Sequence, residues 1–240
     1  MITAKDFSQF TASRRTTRDF QATQVADEII DEILTDALTA PSWSNTRPFL
    51  VAAATGEKRD RISAEFCNRW DAVVDARNGS MLAKIKLLIT RYGLPTSNKV
   101  VPKPYPKELR GRSAKVGKDL YTLLGVDRKD KVARDLHWRR NYEFFGAPTV
   151  LFVFAHKHFG LFSASDAGML TQNIVLSAHA HGLGSCAQGA YSIWEDAIRA
   201  EFDIPEQYGY LYGIALGYPS DSKANSFQAE RIDVSEIKIS

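Results

Sequence analysis

The sequence predicts one α+β domain, in which amphipathic helices alternate with a few short buried strands. Its 240 residues are enough for a single domain with its own core. Of these residues 44% are hydrophobic, as is usual for globular chains. Three short apolar runs, at 49–54, 148–155 and 210–216, predict core strands. Stretches with apolar residues at helical spacing separate these runs, and no linker divides the chain.

The predicted helices are delimited by recognisable start and stop signals. The clearest amphipathic helix ends at Pro41, because the proline ring cannot continue the hydrogen-bond ladder. Gly182 ends a later helix that has one face of small residues. Ser192 and Glu195 predict a capping box at the start of the last helix. Helices are expected at 3–12, 25–40, 55–77, 82–89, 107–145 with a break near Gly125, 165–181 and 193–202.

Positive charge is concentrated in one part of the chain. The whole chain carries a net charge of +3, but residues 81–141, here called the basic segment, hold 16 Lys/Arg against 5 Asp/Glu. A solvated helical face is the simplest interpretation of the basic segment. An electrostatic funnel for an anionic substrate or a phosphorylated nicotinamide is the next. Nucleic-acid binding is a third, but Trp138 and Tyr142 are not interleaved in a recognised RNA- or DNA-binding module.

Several classes of protein are not expected from this sequence. No apolar run approaches the roughly 18 residues of a membrane span, and no signal peptide is visible. Cys67 and Cys186 lack the spacing of a disulfide framework, which suits a reducing cytoplasm. His156 and His158 share a face only on a strand and have no carboxylate or cysteine beside them, so no metal site is expected. No catalytic triad, P-loop or dinucleotide fingerprint is present.

An arginine-rich stretch near the N-terminus predicts a site for a phosphorylated ligand. Within residues 13–20, three arginines stand among several hydroxyl side chains. Each guanidinium is a planar fork of donors that matches phosphate geometry, and neighbouring hydroxyls supply shorter donors. A solvated basic turn at a helix end is the simpler alternative.

Four segments together resemble the nitroreductase family of FMN-dependent oxidoreductases. They are Arg14-Arg15-Thr16-Thr17-Arg18-Asp19-Phe20, Ala40-Pro41-Ser42-Trp43-Ser44-Asn45-Thr46-Arg47-Pro48, Gly182-Leu183-Gly184-Ser185-Cys186-Ala187-Gln188-Gly189 and Gly213-Ile214-Ala215-Leu216-Gly217-Tyr218-Pro219, the last followed by Arg231. They occur in the family's order and spacing and cover residues 7–231. The phrase at 139–148 looks similar to the branch that includes nitrobenzoate reductases.

The resemblance implies a fold, an assembly and a reaction. The fold would be a central, mainly antiparallel sheet flanked by helices, in an intertwined homodimer with two FMN at the interface. Residues 1–240 would form one domain, with a variable substrate entrance at about 79–146 and a tail at 220–240. The tail has little core of its own, so a partner subunit is a candidate for what it covers. The reaction would move hydride from NAD(P)H to a nitroaromatic or quinone acceptor in ping-pong fashion, with the chemistry carried by the flavin.

The resemblance also assigns roles at the phosphate end of FMN. Arg14 and Arg231 are expected to hold the phosphate. Arg15 and Thr16 are expected at the phosphate and ribityl chain, and Arg18 at the ribityl or pyrimidine end.

Other residues are expected around the flavin ring. From the other subunit, the ring would be contacted by Pro41, Ser42, Ser44 and Asn45. Trp43 stands where the family often has a smaller residue, and Asn141 is expected at the pyrimidine edge. The loop of Ala187, Gln188 and Gly189 would aim a backbone N–H at flavin N5, where a donor stabilises charge on the reduced ring. Gln188 stands where the family more often has Glu, and Gly189 alone is also typical of an ordinary turn.

Aromatic side chains are the candidates for a substrate pocket, because a planar acceptor stacks well against them. They are Trp138, Tyr142, Phe144, Phe145 and Tyr191. The alternative for most of them is plain core. Two alternatives for the function stay open: a flavin enzyme of other chemistry, such as flavin fragmentation, dehalogenation or enal reduction, and a non-catalytic nucleotide- or nucleic-acid-binding protein.

Overall fold

The computed structural model describes residues 2–79, 81–97 and 104–239. Its centre is a four-stranded antiparallel sheet with the strand order β1-β2-β4-β3. The strands are β1 at Phe49–Thr55, β2 at Thr149–His156, β3 at Gly184–Gln188 and β4 at Tyr208–Gly217. The prediction of an α+β fold with a mainly antiparallel sheet is confirmed.

Eight α-helices surround the sheet within the described ranges. They are α1 at Ala4–Ser13, α2 at Asp27–Ala37, α3 at Gly56–Asn78, α4 at Met81–Thr90, α5 at Lys107–Leu124, α6 at Lys131–Arg139, α7 at Leu161–Ala180 and α8 at Glu195–Arg199. The predicted break near Gly125 is real, because this residue closes α5 with a left-handed φ of 71°. No helix in these ranges is long and apolar enough to span a bilayer.

The strand β2 separates two hydrophobic cores, because successive side chains of a strand point to opposite faces of the sheet. Val150, Phe152 and Phe154 join the core that includes α3 and α8. Leu151 and Val153 join the core that includes α2 and α7. Full burial of each large apolar side chain stabilises the fold by about 1.5–3 kcal/mol. Helices cover both faces, which is why β2 is a continuous apolar run and not an alternating one.

The region around β3 differs from the prediction in two ways. Residues 184–188 form a strand and not a loop, although they are small residues without β-branched side chains. The helix predicted at 193–202 is present but shorter, as α8 at Glu195–Arg199, and the Ser192 capping box is wrong, because residues 192–194 form a 3-10 turn. The Ser192 hydroxyl instead donates to the Gly189 carbonyl at 2.7 Å, and so stabilises the turn after β3.

The C-terminal tail lies on its own chain. Ala224 is 2% exposed, and the Asn225 amide donates to the carbonyls of Asp19 and Ser220 at 2.8 and 2.9 Å. Farther along, Glu236 accepts from Arg112 of α5 at 2.7 Å. These tail residues thus find polar partners within their own chain, and the expectation that the tail also covers a partner subunit stays a prediction.

Candidate active site

A cavity of about 760 Å³ opens where β3 ends. Its volume falls in the range of about 300–1,000 Å³ that is typical of small-molecule sites. The first motif, α3, the basic segment and the residues after β3 all contribute to its walls. The lining residues are Thr16, Arg18, Trp70, Arg77, Tyr105, Tyr121, Arg134, Asp135, Trp138, Asn141, Tyr142, Phe145, Cys186, Ala187, Gln188, Gly189, Ala190, Ser192 and Ile193. Part of the basic segment is thus a wall of this cavity.

The Gln188 side chain anchors the end of β3 and is buried, with 4% of its surface exposed. Its Nε2 donates to the Asn141 carbonyl oxygen at 3.0 Å and lies 3.4 Å from Asn141 Oδ1. Its Oε1 accepts from the Tyr191 hydroxyl at 3.4 Å. Ala187 and Gly189, on either side, are exposed to the cavity. The side chain of Gln188 therefore fixes the backbone, and the backbone lines the cavity.

Gly213 on β4 makes room for this arrangement. A Cβ at that position would lie 2.3 Å from the Tyr191 hydroxyl oxygen, which is closer than atoms approach. The Tyr191 ring therefore reaches Gln188 across a strand that has no side chain at that point.

The wall from α6 and the turn after it combines one indole, one amide and one phenol. Trp138 is 40% exposed, and its Nε1 donates to the Tyr142 hydroxyl at 3.3 Å. Asn141 Nδ2 donates to the Trp138 carbonyl at 2.9 Å. Burial raises the pKa of Tyr142 to about 12, so its phenol is protonated near neutral pH.

The five predicted pocket aromatics divide into two groups. Trp138, Tyr142 and Phe145 line the cavity. Phe144 and Tyr191 do not line it; each is 0% exposed and packs against the Phe66 ring, with centroids 6.2 and 5.1 Å apart. The structure thus places Phe144 and Tyr191 in the core, because they point into the sheet face that α3 covers. A substrate role for the other three stays a prediction.

A small recess beside the cavity gathers four arginines, and we call it the arginine recess. Its volume is about 70 Å³, and it is lined by Arg14, Arg15, Thr16, Arg18, Val116, Phe227, Gln228, Ala229 and Arg231. No described carboxylate pairs with any of these four guanidinium groups. Burial, and next the charge of Arg231, lowers the pKa of Arg14. Guanidinium groups that lie close together and are not neutralised by carboxylates favour the binding of an anion between them.

The arginine recess is built on β3 and the tail. Thr16 forms a parallel bridge to Ser185, and the Thr17 N–H donates to the Ser185 carbonyl at 3.0 Å. The Arg18 N–H donates to Asn225 Oδ1 at 2.7 Å. Gly184 is required here, because a Cβ would lie 2.3 Å from Thr17 Oγ1. The first motif is therefore held against β3 like a short additional strand.

The second motif lies elsewhere. None of the residues expected at the flavin ring from this motif lines the cavity or the arginine recess: Pro41, Ser42, Trp43, Ser44 and Asn45. They precede β1, and β1 and β3 are the two edge strands. Three inter-strand spacings put about 14 Å between those strands. One chain therefore does not bring its two N-terminal motifs together.

Cysteine and histidine chemistry adds little to the site. Cys67 and Cys186 are both free and buried, and burial raises the pKa of each thiol to about 11. Cys186 lines the cavity but is a protonated, poorly nucleophilic thiol at neutral pH. Within the described ranges, no group of three or more His, Cys, Asp and Glu side chains is placed to hold a metal ion. His156 ends β2 and His158 follows in a turn, so the two do not share a strand face.

The sequence prediction missed several cavity residues, among them Arg77, Arg134 and Asp135. For Arg134 a signal was available, because it stands four residues before Trp138 and such positions share one helix face. Asn225 was also missed, and nothing local in the sequence marks a tail amide as the partner of a backbone group more than 200 residues away.

The fold is that of flavin-dependent nitroreductases of known structure. The FMN-dependent nitroreductase NfnB from Mycobacterium smegmatis, solved in complex with NADPH, matches with a TM-score of 0.84 at 27% identity, covering 98% of each chain. The sequence model of the nitroreductase family matches residues 11–218. The chain belongs to the nitroreductase family, and the resemblance stated from its motifs is confirmed.

Individual relatives agree with that assignment. Nitroreductase NfnB of Mycolicibacterium smegmatis is 31% identical over 227 residues, which cover 93% of this chain and 87% of the relative. A 4-nitrobenzoate reductase of Pseudomonas putida is 28% identical over 229 residues, which cover 94% of this chain and 91% of the relative. The relatives therefore include the branch that the phrase at 139–148 resembles.

Proposed function

We propose that the protein is an FMN-dependent nitroreductase that oxidises NAD(P)H and reduces a nitroaromatic or quinone acceptor. The main observation behind this proposal is that the arginine recess and the large cavity adjoin. Thr16 and Arg18 line both the arginine recess and the large cavity. A ligand with a phosphate at one end and a planar ring at the other fits such a pair of spaces. FMN has that form, and when bound it supplies the hydride and two-electron chemistry.

The residues present fit the two ends of FMN. Four guanidinium groups that pair with no carboxylate in the described ranges suit its phosphate. We assign the phosphate to Arg14 and Arg231, its junction with the ribityl chain to Arg15 and Thr16, and the passage between the two spaces to Arg18.

At the ring end, the chain supplies donors from its backbone and from one amide. Ala187 and Gly189 are exposed to the cavity on either side of buried Gln188, which supports a backbone N–H aimed at flavin N5. Such a donor stabilises negative charge that develops on the ring. Asn141, whose side chain already contacts Gln188, is assigned to the pyrimidine edge.

The site is proposed to be completed by a second copy of the chain in a homodimer. The separation of β1 from β3 supports this, because the second motif of the same chain lies at the far edge of the sheet. Trp43 in that motif is 58% exposed and contacts Phe162 at a centroid distance of 4.8 Å. An exposed pair of aromatic rings of this kind suits a subunit interface. In the dimer, the second motif of one copy would lie over the flavin ring held by the other.

The acceptor and the kinetic order are also proposals. A single cavity of about 760 Å³ supports alternating use by the nicotinamide and the acceptor, which is a ping-pong mechanism. A relative named 4-nitrobenzoate reductase and Arg134, the one cation of the basic segment among the residues that line the cavity, both favour a carboxylated nitroaromatic. Two free cysteines support a cytoplasmic location, since thiols persist in reducing compartments.

The test begins with the purified protein and its visible spectrum. We expect a yellow protein that binds FMN in titration and reduces 4-nitrobenzoate with NADH or NADPH. Parallel double-reciprocal lines would support the ping-pong order. Assays with menadione and an enal separate this function from other flavin chemistry. A protein that does not take up FMN at all contradicts the proposal.

A further inference from the structure

Four charged side chains line the large cavity: Arg18, Arg77, Arg134 and Asp135. Two of them neutralise each other, because Arg77 donates to the Asp135 carboxylate. The same carboxylate oxygen, Oδ2, also accepts from Asn78 Nδ2 at 3.3 Å. This pair leaves two cations without a carboxylate partner in the described part of the chain.

The two remaining cations lie in different parts of the cavity wall. Arg18 also lines the arginine recess, and its guanidinium lies 5.7 Å from the centroid of the Phe227 ring. It therefore belongs to the phosphate end. Arg134 lies on α6 and donates to the Arg128 carbonyl at 3.2 Å. This bond orients one arm of the guanidinium and leaves donors for a ligand.

The helix geometry places Arg134 beside an aromatic wall. Arg134 and Trp138 are four residues apart on α6, so they share a face and are separated by about one turn of 5.4 Å. Both line the cavity, and the Trp138 ring is 40% exposed. A planar molecule lying along this face would have its ring near Trp138 and a substituent near Arg134.

We propose that Arg134 is a specificity-determining residue that binds the anionic group of an incoming substrate, a carboxylate or a phosphate. The proposal rests on the proposed function of this cavity. Two substrates of the reaction offer that chemistry: a carboxylated nitroaromatic acceptor, and the 2′-phosphate that distinguishes NADPH from NADH. A guanidinium fork binds either group in two parallel hydrogen bonds.

The test compares two variants on the same helix. Arg134→Gln removes the cation from the cavity wall, and Lys131→Gln removes one positive charge from an exposed position that does not line the cavity. The ratio of kcat/KM for 4-nitrobenzoate to that for nitrobenzene reports on the acceptor. The ratio for NADPH to NADH, with nitrobenzene as acceptor, reports on the nucleotide. FMN titration establishes that each variant is loaded.

We expect Arg134→Gln to lower at least one ratio about tenfold, mostly through KM, as for the loss of a charge-assisted hydrogen bond. A fall in the ratio for 4-nitrobenzoate identifies the anion as the acceptor's carboxylate, and a fall in the ratio for NADPH identifies it as the 2′-phosphate of the nucleotide. Lys131→Gln should leave both ratios within about twofold, because Lys131 does not line the cavity and its exposed charge acts only through attraction that the solvent screens. Arg134→Lys should retain part of the preference, since it keeps the charge and loses the fork.

A binding measurement separates this proposal from the proposed function. Benzoate, which carries the carboxylate and cannot be reduced, is titrated calorimetrically into the FMN-loaded protein, with benzamide as the neutral control. Arg134→Gln should weaken benzoate binding about tenfold and leave benzamide unchanged. If both kinetic ratios and the benzoate affinity are the same in Arg134→Gln as in the wild type, Arg134 is not the anion-binding residue. Failure of the wild type to reduce any nitro compound would instead count against the proposed function.

Discussion

The two N-terminal motifs differ in how the fold holds them, although both are equally clear in the sequence. The first, at 14–18, is bonded to β3 on one side and to Asn225 of the tail on the other. The second, at 41–48, makes a turn with left-handed φ values of 49° at Ser44 and 59° at Asn45, and its side chains are mostly exposed. This difference is the basis for proposing that a chain provides one half of its own site and offers the other half to a second copy.

The substitution with the largest expected effect is Asn225→Ala, which releases the first motif from the tail. The Asn225 side chain makes three hydrogen bonds to backbone groups, at 2.7, 2.8 and 2.9 Å. At about 1 kcal/mol each, their loss should lower the free energy of unfolding by about 3 kcal/mol and weaken FMN binding. Chemical denaturation and FMN titration measure the two effects.

Asn173→Ala is the matched control for that experiment. Asn173 is an asparagine on α7 whose side chain makes a single hydrogen bond, to Thr39 Oγ1 at 3.2 Å. It should cost no more than about 1 kcal/mol and leave FMN binding intact. Equal effects of the two substitutions would show that the tail does not hold the first motif.

A narrower change is Arg14→Ala, which removes a ligand-facing charge and keeps the framework. FMN affinity should fall by about 1.5–3 kcal/mol, the usual worth of a charge-assisted hydrogen bond. The free energy of unfolding of the FMN-free protein should not fall, because Arg14 has no carboxylate partner among the residues that the structure describes and its removal relieves repulsion from Arg231. Arg128→Ala, an exposed arginine outside the recess, is the control. Unchanged FMN affinity in Arg14→Ala would remove this residue from the phosphate site.

The division of the site between two copies is tested by complementation. Arg14→Ala and Asn45→Ala are each expected to weaken FMN binding, the second by about 1 kcal/mol. Mixed dimers formed by unfolding and refolding the two variants together should regain tight binding, because one of the two sites in each heterodimer then carries neither substitution. The refolded mixture could instead bind FMN no more tightly than the average of the two variants measured alone. In that case Arg14 and Asn45 either belong to a site within one chain or do not belong to the FMN site.

The smallest expected effect concerns pH and the anchoring of the first motif to α7. His179 Nε2 lies 2.7 Å from the Ser13 hydroxyl, and burial, then the charge of Arg14, lowers the pKa of His179. The unfolded chain therefore binds this proton more tightly than the folded one. The stability that neutral His179 contributes is present above its unfolded pKa of about 6.5 and is lost as the pH falls from there toward the folded pKa.

His179→Gln should therefore reduce the loss of thermal stability between neutral and mildly acidic pH. The melting temperature across that range, with and without FMN, is the measurement. His158→Gln, at an exposed histidine that does not line the arginine recess, is the control substitution. Identical pH profiles for His179→Gln and the wild type would mean that His179 does not couple protonation to folding.

Much of the fold could be predicted locally. The strands β2 and β4 were located to within a few residues by their apolar runs, and the helices α2 and α7 by apolar residues at helical spacing. The strand β3 could not be located in this way. It is short and built from small residues, and it is a strand because β4 offers it a backbone to pair with.

The sequence by itself determined the family, the motifs and the positive charge of the basic segment, because these depend on residue identity and order. Tertiary structure alone decided which residues meet. It brought Arg231 to Arg14, placed Gln188 between Asn141 and Tyr191, and buried Tyr191. It also separated the two N-terminal motifs by the width of the sheet. The physical reason is that each of these outcomes depends on strand order and on contacts between distant parts of the chain, which no local pattern of side chains encodes.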